Sequence, residues 1–130
     1  MYGEYLGAVI IVTVLMHIID DFVLQPVCLS KLKQASTWNG APAKYRNDYK
    51  AALIIHGFSW SSLVMLPALV LMQFQVGFAF IGVWIIMGSL HAVIDDLKAN
   101  IRMISLLTDQ TLHTVQIAVI ILMLWAGWLA

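Results

Sequence analysis

The sequence predicts an all-α protein, a bundle of four transmembrane helices. Hydrophobic residues make up 62% of the chain and charged residues 11%, whereas soluble domains are about half apolar and about a quarter charged. The mean hydropathy is +0.89. The apolar residues fall into four runs, each close to the ~20 residues that a helix needs to cross ~30 Å of hydrocarbon. We therefore expect one integral membrane domain, residues 1–130, with helices at about 5–25, 51–72, 76–95 and 112–130.

The connections between the runs differ in length and character. The first run begins after Glu4 and lacks the positively charged start and the cleavage site of a signal peptide, so it is expected to stay as a helix. A short turn around Gln73–Gln75 predicts that the second and third helices are antiparallel neighbours. The connections at about 26–50 and 96–111 are polar. The turn-rich segment 34–42 has two interpretations, a mobile lid over a site or a simple tether.

The basic residues indicate an orientation. All seven lie in the two long connections: Lys31, Lys33, Lys44, Arg46, Lys50, Lys98 and Arg102. Positively charged connections face the cytoplasm, so both termini are expected on the non-cytoplasmic side of a bacterial inner membrane. Anionic lipid headgroups are the nearest partners for these charges. The five basic residues of the first connection are too few to predict a nucleic-acid surface, and no nucleic-acid partner is expected.

Histidine and aspartate residues concentrate where the runs meet the two polar connections. Three pairs have a separation of four residues, which places both side chains on one helix face. These pairs are His17 with Asp21, His91 with Asp95, and Asp109 with His113, and His56 lies about two turns into the second run. Because successive helices run in opposite directions, all four contribute to one layer. Ionisable groups at membrane depth are costly and usually face a partner or a wet cavity, which predicts a shared polar site.

This combination of side chains predicts a metal centre. Neutral imidazole and carboxylate ligands suit zinc first, with manganese or iron as alternatives. The candidate ligands are His17, Asp21, His56, His91, Asp95, Asp109 and His113. Seven ligands exceed one tetrahedral site, so either two ions are held or some aspartates orient the histidines. Cys28 is the only cysteine, so the sequence offers no thiolate cluster for a metal.

The order of these motifs resembles a family of small bacterial and phage membrane proteins grouped as domain of unknown function 3307. The family pattern is H-xxx-DF-xx-Q ending helix 1, an early histidine in helix 2, H-xxx-D-xx-K ending helix 3, and DQ-xx-H opening helix 4. Here it falls on His17, Asp21, Phe22, Gln25, His56, His91, Asp95, Lys98, Asp109, Gln110 and His113. The chain is also similar to a broader group described as membrane-bound metal-dependent hydrolases. The resemblance implies a site of this composition in a bacterial or phage-encoded membrane protein.

The enzyme hypothesis is metal-dependent hydrolysis of a lipid-borne ester or phosphoester at the cytoplasmic interface. A bound metal ion would activate a water molecule and polarise the acyl or phosphoryl oxygen. Asp21 or Asp95, where not a ligand, would serve as general base, and Lys98 would offset developing negative charge. The expected partners are membrane lipids and a lipid-borne substrate, and self-association into a homo-oligomer stays open.

Two other classes of function stay open beside hydrolysis. One is a non-catalytic accessory protein in which the histidine and aspartate cluster, with or without a metal ion, only holds the four helices together. The other is a transporter of protons or metal ions. The outer halves of the four runs contain no charged residue and no histidine. A path across the whole membrane therefore has few groups to use.

Neighbouring residues receive less specific assignments. Asp20 and Asp96 adjoin the paired aspartates but are offset from them by ~100° around an α-helix. They are interpreted either as partners of the metal ligands or as solvated residues, and the exposed position is favoured. Phe22 is interpreted as an interfacial anchor and Gln25 as a solvated side chain. Ser59 is interpreted as an ordinary helix-packing residue.

Overall fold

The computed structural model describes residues 3–25 and 27–129, and its regular elements are all helical. Five α-helices follow one another: α1 (Leu6–Ile18), α2 (Val27–Leu32), α3 (Asp48–Leu71), α4 (Phe78–Ala99) and α5 (Leu106–Trp125). A π-helical segment, Ile19–Leu24, continues α1. Short 3-10 turns occupy Gly3–Tyr5, Ala35–Trp38 and Ala43–Tyr45. No strand occurs among the described residues, so the prediction of an all-α protein is confirmed.

Four helical segments are long and apolar enough to cross a membrane. They run over Gly3–Leu24, Ala43–Leu71, Phe78–Ala99 and Leu106–Trp125. Many of their large apolar side chains point outward and are exposed, among them Ile11. Extended apolar surface of this kind is unfavourable against water and suits contact with lipid tails. The fold is therefore compatible with a multi-pass membrane protein.

The end of the first long helix departs from α-helical geometry. The π-helical segment Ile19–Leu24 has wider turns than an α-helix, and such segments are frequent at functional sites. The wider turn changes the offset between neighbouring side chains, so Asp20 and Asp21 both face α3. Asp20 is 2% exposed and accepts a hydrogen bond from Ser59 Oγ at 2.8 Å. Of the two interpretations of Asp20, the favoured one, an exposed position, is wrong because it assumed a continuous α-helix, whereas a place beside the candidate ligand His56 agrees with the structure.

The first connection, residues 27–47, folds back onto the bundle. It begins with α2 and is attached near its centre to Asn100, which directly follows α4. Asn100 Nδ2 donates to the carbonyl oxygen of Lys33 at 3.0 Å, and Asn100 Oδ1 accepts from the backbone N–H of Ala35 at 2.7 Å. The two bonds hold residues on either side of Gln34 against the end of α4.

The last helix begins earlier than its hydropathy indicates. The apolar run predicts a start near residue 112, whereas α5 begins at Leu106. Ser105 Oγ accepts a hydrogen bond from the backbone N–H of Thr108 at 3.1 Å, as an N-cap residue does. This cap adds a polar turn before the apolar run. Asp109 consequently lies within the helix, one turn before His113.

The core places α3 at the centre of the bundle, in contact with α1, α4 and α5. Its apolar part occupies the half of the bundle that lies away from the two polar connections. The buried side chains there include Val9, Val64, Met65, Phe80, Met87, Ile120 and Leu124. Trp60 is fully buried and lies between this apolar half and the layer of histidine and aspartate side chains.

The crossing of α3 and α4 depends on two glycines. A Cβ atom on Gly57 would collide with the backbone oxygen of Gly88 and lie 3.1 Å from Ala92 Cβ. Small residues allow the backbones of membrane helices to approach in this way. Gly57 adjoins His56, and Gly88 lies one turn before His91. The crossing therefore sets the separation of these two histidines.

Replacing Gly57 with alanine should destabilise the bundle by about 1–3 kcal/mol, the usual cost of an overpacked interface. The added methyl group would meet backbone, which cannot move aside independently. Gly82→Ala is the matched control, because a Cβ there meets nothing within 4 Å and alanine is favoured in a helix by up to ~1 kcal/mol. Thermal unfolding in detergent compares the two. Equal melting temperatures would contradict the close packing at Gly57.

Candidate metal centre

The four histidine rings converge in one buried cluster at the end of the bundle that carries the polar connections. The ring centroids of His91 and His113 are 4.0 Å apart, those of His56 and His91 are 5.0 Å apart, and those of His17 and His113 are 5.9 Å apart. All four residues are buried. α1, α3, α4 and α5 each supply one ring, which is the convergence that the helix directions predict.

A first group of ligand atoms lies between α1, α3 and α4. His56 Nε2 is 3.5 Å from Asp21 Oδ1 and 3.5 Å from Asp95 Oδ2, and His91 Nε2 is 3.8 Å from each of the same two oxygens. Ligands bound at 2.1 Å in a regular tetrahedron are ~3.4 Å apart. Ligand atoms of Asp21, His56 and His91 all lie within 4.8 Å of one another, and Asp95 adjoins both histidines. We call these four residues the first metal position.

A second group lies between α4 and α5. Ligand atoms of His91, Asp95 and His113 all lie within 4.8 Å of one another. His113 Nε2 is 3.6 Å from Asp95 Oδ1 and 3.5 Å from Asp109 Oδ1. We call Asp95, Asp109 and His113 the second metal position. Since Asp95 directs Oδ2 toward His56 and His91 and Oδ1 toward His113, it would be able to supply a ligand to both positions.

Most of the imidazole nitrogens and carboxylate oxygens that face one another in the cluster lack a hydrogen-bond partner. Among the described residues, the buried side-chain atoms without one are Asp20 Oδ2, Asp21 Oδ1, His56 Nε2, both ring nitrogens of His91, Asp109 Oδ1 and His113 Nε2. The separations of 3.5–3.8 Å between them exceed a hydrogen bond of about 2.7–3.2 Å. Buried polar atoms are rarely left unpaired, and a group of them indicates a missing ion or water. The donor set is that of a divalent transition metal.

The proton of His113 is positioned by Gln116, one turn further along α5. Gln116 Nε2 donates to the carbonyl oxygen of Met87 at 3.1 Å, so its Oε1 faces His113 Nδ1, also at 3.1 Å. An amide oxygen only accepts hydrogen bonds, so Nδ1 of the neutral ring carries the hydrogen. Nε2 then presents its lone pair to the second metal position. Partners of this kind orient histidine ligands in metal sites.

His56 has a carboxylate on each side of its ring. Asp20 Oδ2 lies 3.5 Å from His56 Nδ1, and Asp21 Oδ1 lies 3.5 Å from His56 Nε2. A carboxylate beside the outer nitrogen of a histidine ligand favours the tautomer whose other nitrogen is free for a metal. Asp20 is in turn held by Ser59. The π-helical turn makes this arrangement possible because it directs two consecutive aspartates at one ring.

His17 differs from the other three histidines. Its Nδ1 accepts a hydrogen bond from Trp60 Nε1 at 2.8 Å, so the hydrogen of the neutral ring lies on Nε2. His17 therefore presents an N–H group where the others present a lone pair. The geometry favours the remaining six predicted ligands as the metal-binding set and His17 as a hydrogen-bond donor beside it.

Two lysines place ammonium groups in the cluster. Lys33 is 7% exposed, and its Nζ forms an ion pair with Asp95 Oδ2. Lys98 Nζ donates to Asp109 Oδ2 at 2.7 Å, and its side chain is 35% exposed. The ionised cluster thus contains four carboxylates, those of Asp20, Asp21, Asp95 and Asp109, and two ammonium groups. With neutral histidines it carries two uncompensated negative charges.

Sequence patterns missed several residues of the cluster. Lys33 lies in a polar connection, where nothing in the sequence distinguishes it from its exposed neighbour Lys31. The sequence favours an exposed Asp20 and a packing role for Ser59, because a regular α-helix does not predict the π-helical turn that brings Asp20 to Ser59. Gln116 was detectable in principle, since it lies one turn after His113 on the same helix face.

Residues at the rim of the cluster divide between solvent and the site. Phe22 is exposed, as an interfacial anchor would be. Gln25 is half-buried rather than solvated. With its amide nitrogen donating to the backbone oxygen of Asp21 at 3.2 Å, its amide oxygen accepts from Lys33. Asp96 is half-buried and accepts from Asn100 Nδ2 at 2.6 Å.

Fold and site together define a class: an all-α chain with four helices of membrane-spanning length and a buried histidine and aspartate cluster at one end. The chain belongs to the family described as "Protein of unknown function (DUF3307)", whose model matches residues 9–129. The match spans all four long helices and the whole cluster. No curated protein and no solved structure matches the chain.

Proposed function

We propose that this protein is a membrane-embedded metalloenzyme that hydrolyses a lipid-borne ester or phosphoester at the cytoplasmic face of a bacterial inner membrane. The observation that carries the proposal is the convergence of unpaired imidazole and carboxylate atoms at 3.5–3.8 Å. Neutral partners would relax into hydrogen bonds, whereas these side chains are held apart at distances that suit a shared ion.

The charges of the cluster support a divalent cation. Four carboxylates and two ammonium groups leave two negative charges, and uncompensated charge at membrane depth is costly. One divalent ion in the first metal position compensates them fully when the Lys33 ammonium stays in the cluster, and leaves one negative charge when that ammonium is displaced. A second ion in the second metal position would add positive charge that calls for an additional anion, as a phosphoester substrate would provide. Zinc fits the ligand set best, with manganese or iron as alternatives.

The rim of the cluster offers groups for catalysis. A divalent ion supplies Lewis acidity and an activated water when it is bound. Asp95 directs both oxygens at imidazoles and at Lys33, so it suits a ligand. Asp21 Oδ2 accepts from Gln110 Nε2 at 3.3 Å, and where Asp21 is not a ligand of the ion it would orient or deprotonate a water. The half-exposed ammonium of Lys98 is placed to face an anionic headgroup.

A structural role is the second candidate, and the burial of the cluster favours it. Catalytic metal sites keep a position open for water or substrate, whereas structural sites are closed by protein. His91, His113 and Asp109 are fully buried. In that case the ion would hold four helices together without turnover. Transport is less well supported, since the buried polar side chains of the described core outside the cluster are those of Thr13, Ser61 and Gln116, and none of them is charged.

Purified protein should contain one or two equivalents of zinc, manganese or iron, measured by elemental mass spectrometry. Asp95→Asn should lose the metal, because this carboxylate contacts both metal positions. Gln116→Leu should weaken metal binding by about 10–100-fold, as removal of an orienting partner usually does. Asp48→Asn, two turns before His56, is the control and should keep the metal. A protein free of metal after reconstitution with each ion would overturn the proposal.

Metal-loaded protein in vesicles should release product from a panel of lipid esters and phosphoesters. A chelator and the Asp95→Asn substitution should each reduce release to the uncatalysed background, and Asp48→Asn should leave it unchanged. Mass spectrometry of the extracted lipids detects the products. Tightly bound metal without release from any class of lipid would reject hydrolysis and select the structural role.

The proposed orientation places the first connection in the cytoplasm, and the single cysteine makes this testable. Cys28 is exposed on α2. A membrane-impermeant maleimide should label it in inverted inner-membrane vesicles and leave it unlabelled in intact spheroplasts, because the positive-inside rule assigns this side to the cytoplasm. Labelling in both preparations after detergent serves as the control. Labelling in intact spheroplasts alone would reverse the orientation.

A further inference from the structure

The buried ammonium group of Lys33 contacts Asp95, a carboxylate that we expect to be a metal ligand. Its Nζ contacts Asp95 Oδ2, the oxygen that is 3.5 Å from His56 Nε2 in the first metal position. A lysine is rarely buried unless it is paired, and here the pairing partner is a shared ligand of both positions. Lys33 therefore acts as a cation built into the site.

The segment that carries Lys33 packs on α3 through α2 and through the turn Ala35–Trp38, and it has two polar attachments to the end of α4. Lys33 directly follows α2 in the first connection, and Asn100 bonds the carbonyl oxygen of Lys33 and the N–H of Ala35. Lys31, two residues earlier, is exposed. The ammonium contact and the Asn100 side chain are thus the two polar attachments between the described part of this segment and the end of α4.

A metal ion and the ammonium group would compete for the same oxygen. An ion bound to Asp95 Oδ2 would lie ~4 Å from Lys33 Nζ, where like charges repel strongly in a medium of low dielectric. The flexible stem of a lysine allows its head to reach the membrane interface at small cost. Each cation therefore lowers the occupancy of the other.

We propose that Lys33 is an internal competitor of the metal ion, so that occupancy of the first metal position releases the first connection from the cluster. The inference rests on the proposed metal centre and adds to it a device that couples metal binding to the position of residues 27–47. Coupling free energies are reciprocal. Removal of the ammonium must therefore tighten metal binding, and metal binding must loosen the segment.

The first experiment compares zinc affinity in the full-length wild type, Lys33→Met and Lys31→Met, measured by competition with a chromophoric chelator. Lys33→Met should bind zinc at least about tenfold more tightly, because one repelling charge next to the ion is removed. Lys31→Met carries the same change on an exposed side chain and should match the wild type. Equal or weaker affinity in Lys33→Met would overturn the inference.

Hydrogen exchange of the wild type with and without saturating zinc keeps the inference testable should Lys33→Met fail to fold. Peptides covering residues 33–38 should exchange faster with zinc, because the contact between the Lys33 ammonium and Asp95 that helps to hold this segment is lost. Unchanged or slower exchange would overturn the inference.

The zinc titrations also separate this inference from the proposed function. Zinc binding to neither protein overturns both proposals. Binding to the wild type without a gain in Lys33→Met overturns only the role of Lys33. Binding to Lys33→Met alone supports the competition and counts against a resident metal in the wild type.

Discussion

The need to compensate buried negative charge shapes this protein more than any other constraint. Four aspartates converge in a bundle whose outer surface is rich in exposed apolar side chains, and their carboxylates are largely buried. Two ammonium groups compensate part of this charge, that of Lys33 from the first connection and that of Lys98 from the last turn of α4. The folded-back first connection and the π-helical turn are both explained by this requirement, since each brings a charged group to a place that a regular helix would not reach.

The apolar half of the bundle provides the rigidity that the cluster needs. Protein interiors are close-packed and resist small displacements, and the crossing at Gly57 and Gly88 fixes α3 against α4 directly beside His56 and His91. Trp60 links the two halves, because its indole packs in the core while its N–H holds His17. The ligand atoms can therefore stay apart without hydrogen bonds between them, which a more deformable bundle would not maintain.

The regular spacing of residues in the sequence predicted the four helices and the layer of histidines. It did not predict features that depend on a local departure from regular helix geometry or on contacts between distant residues. Runs of about 20 apolar residues determine the four helices, and the spacing of four residues between histidine and aspartate brings the rings to one layer. The buried position of Asp20 was not predicted, because the π-helical turn changes the angle between neighbouring side chains. The start of α5 depends on the Ser105 cap rather than on hydropathy. Lys33 was unpredictable, since its burial arises from a contact between residues 62 positions apart.

Two protons or one divalent ion would each neutralise the cluster, but they call for different distances between the imidazole and carboxylate atoms. A protonated histidine donates to a carboxylate at about 2.7–2.9 Å, so protonation should draw His56, His91 or His113 toward an aspartate. The observed separations are 3.5–3.8 Å, while Lys98 and Asp109 in the same cluster make a normal contact of 2.7 Å. Lys98 carries its own proton and makes a hydrogen bond of normal length to Asp109. Around the histidines the separations stay longer than hydrogen bonds, which is why we propose a cation rather than protons at this place.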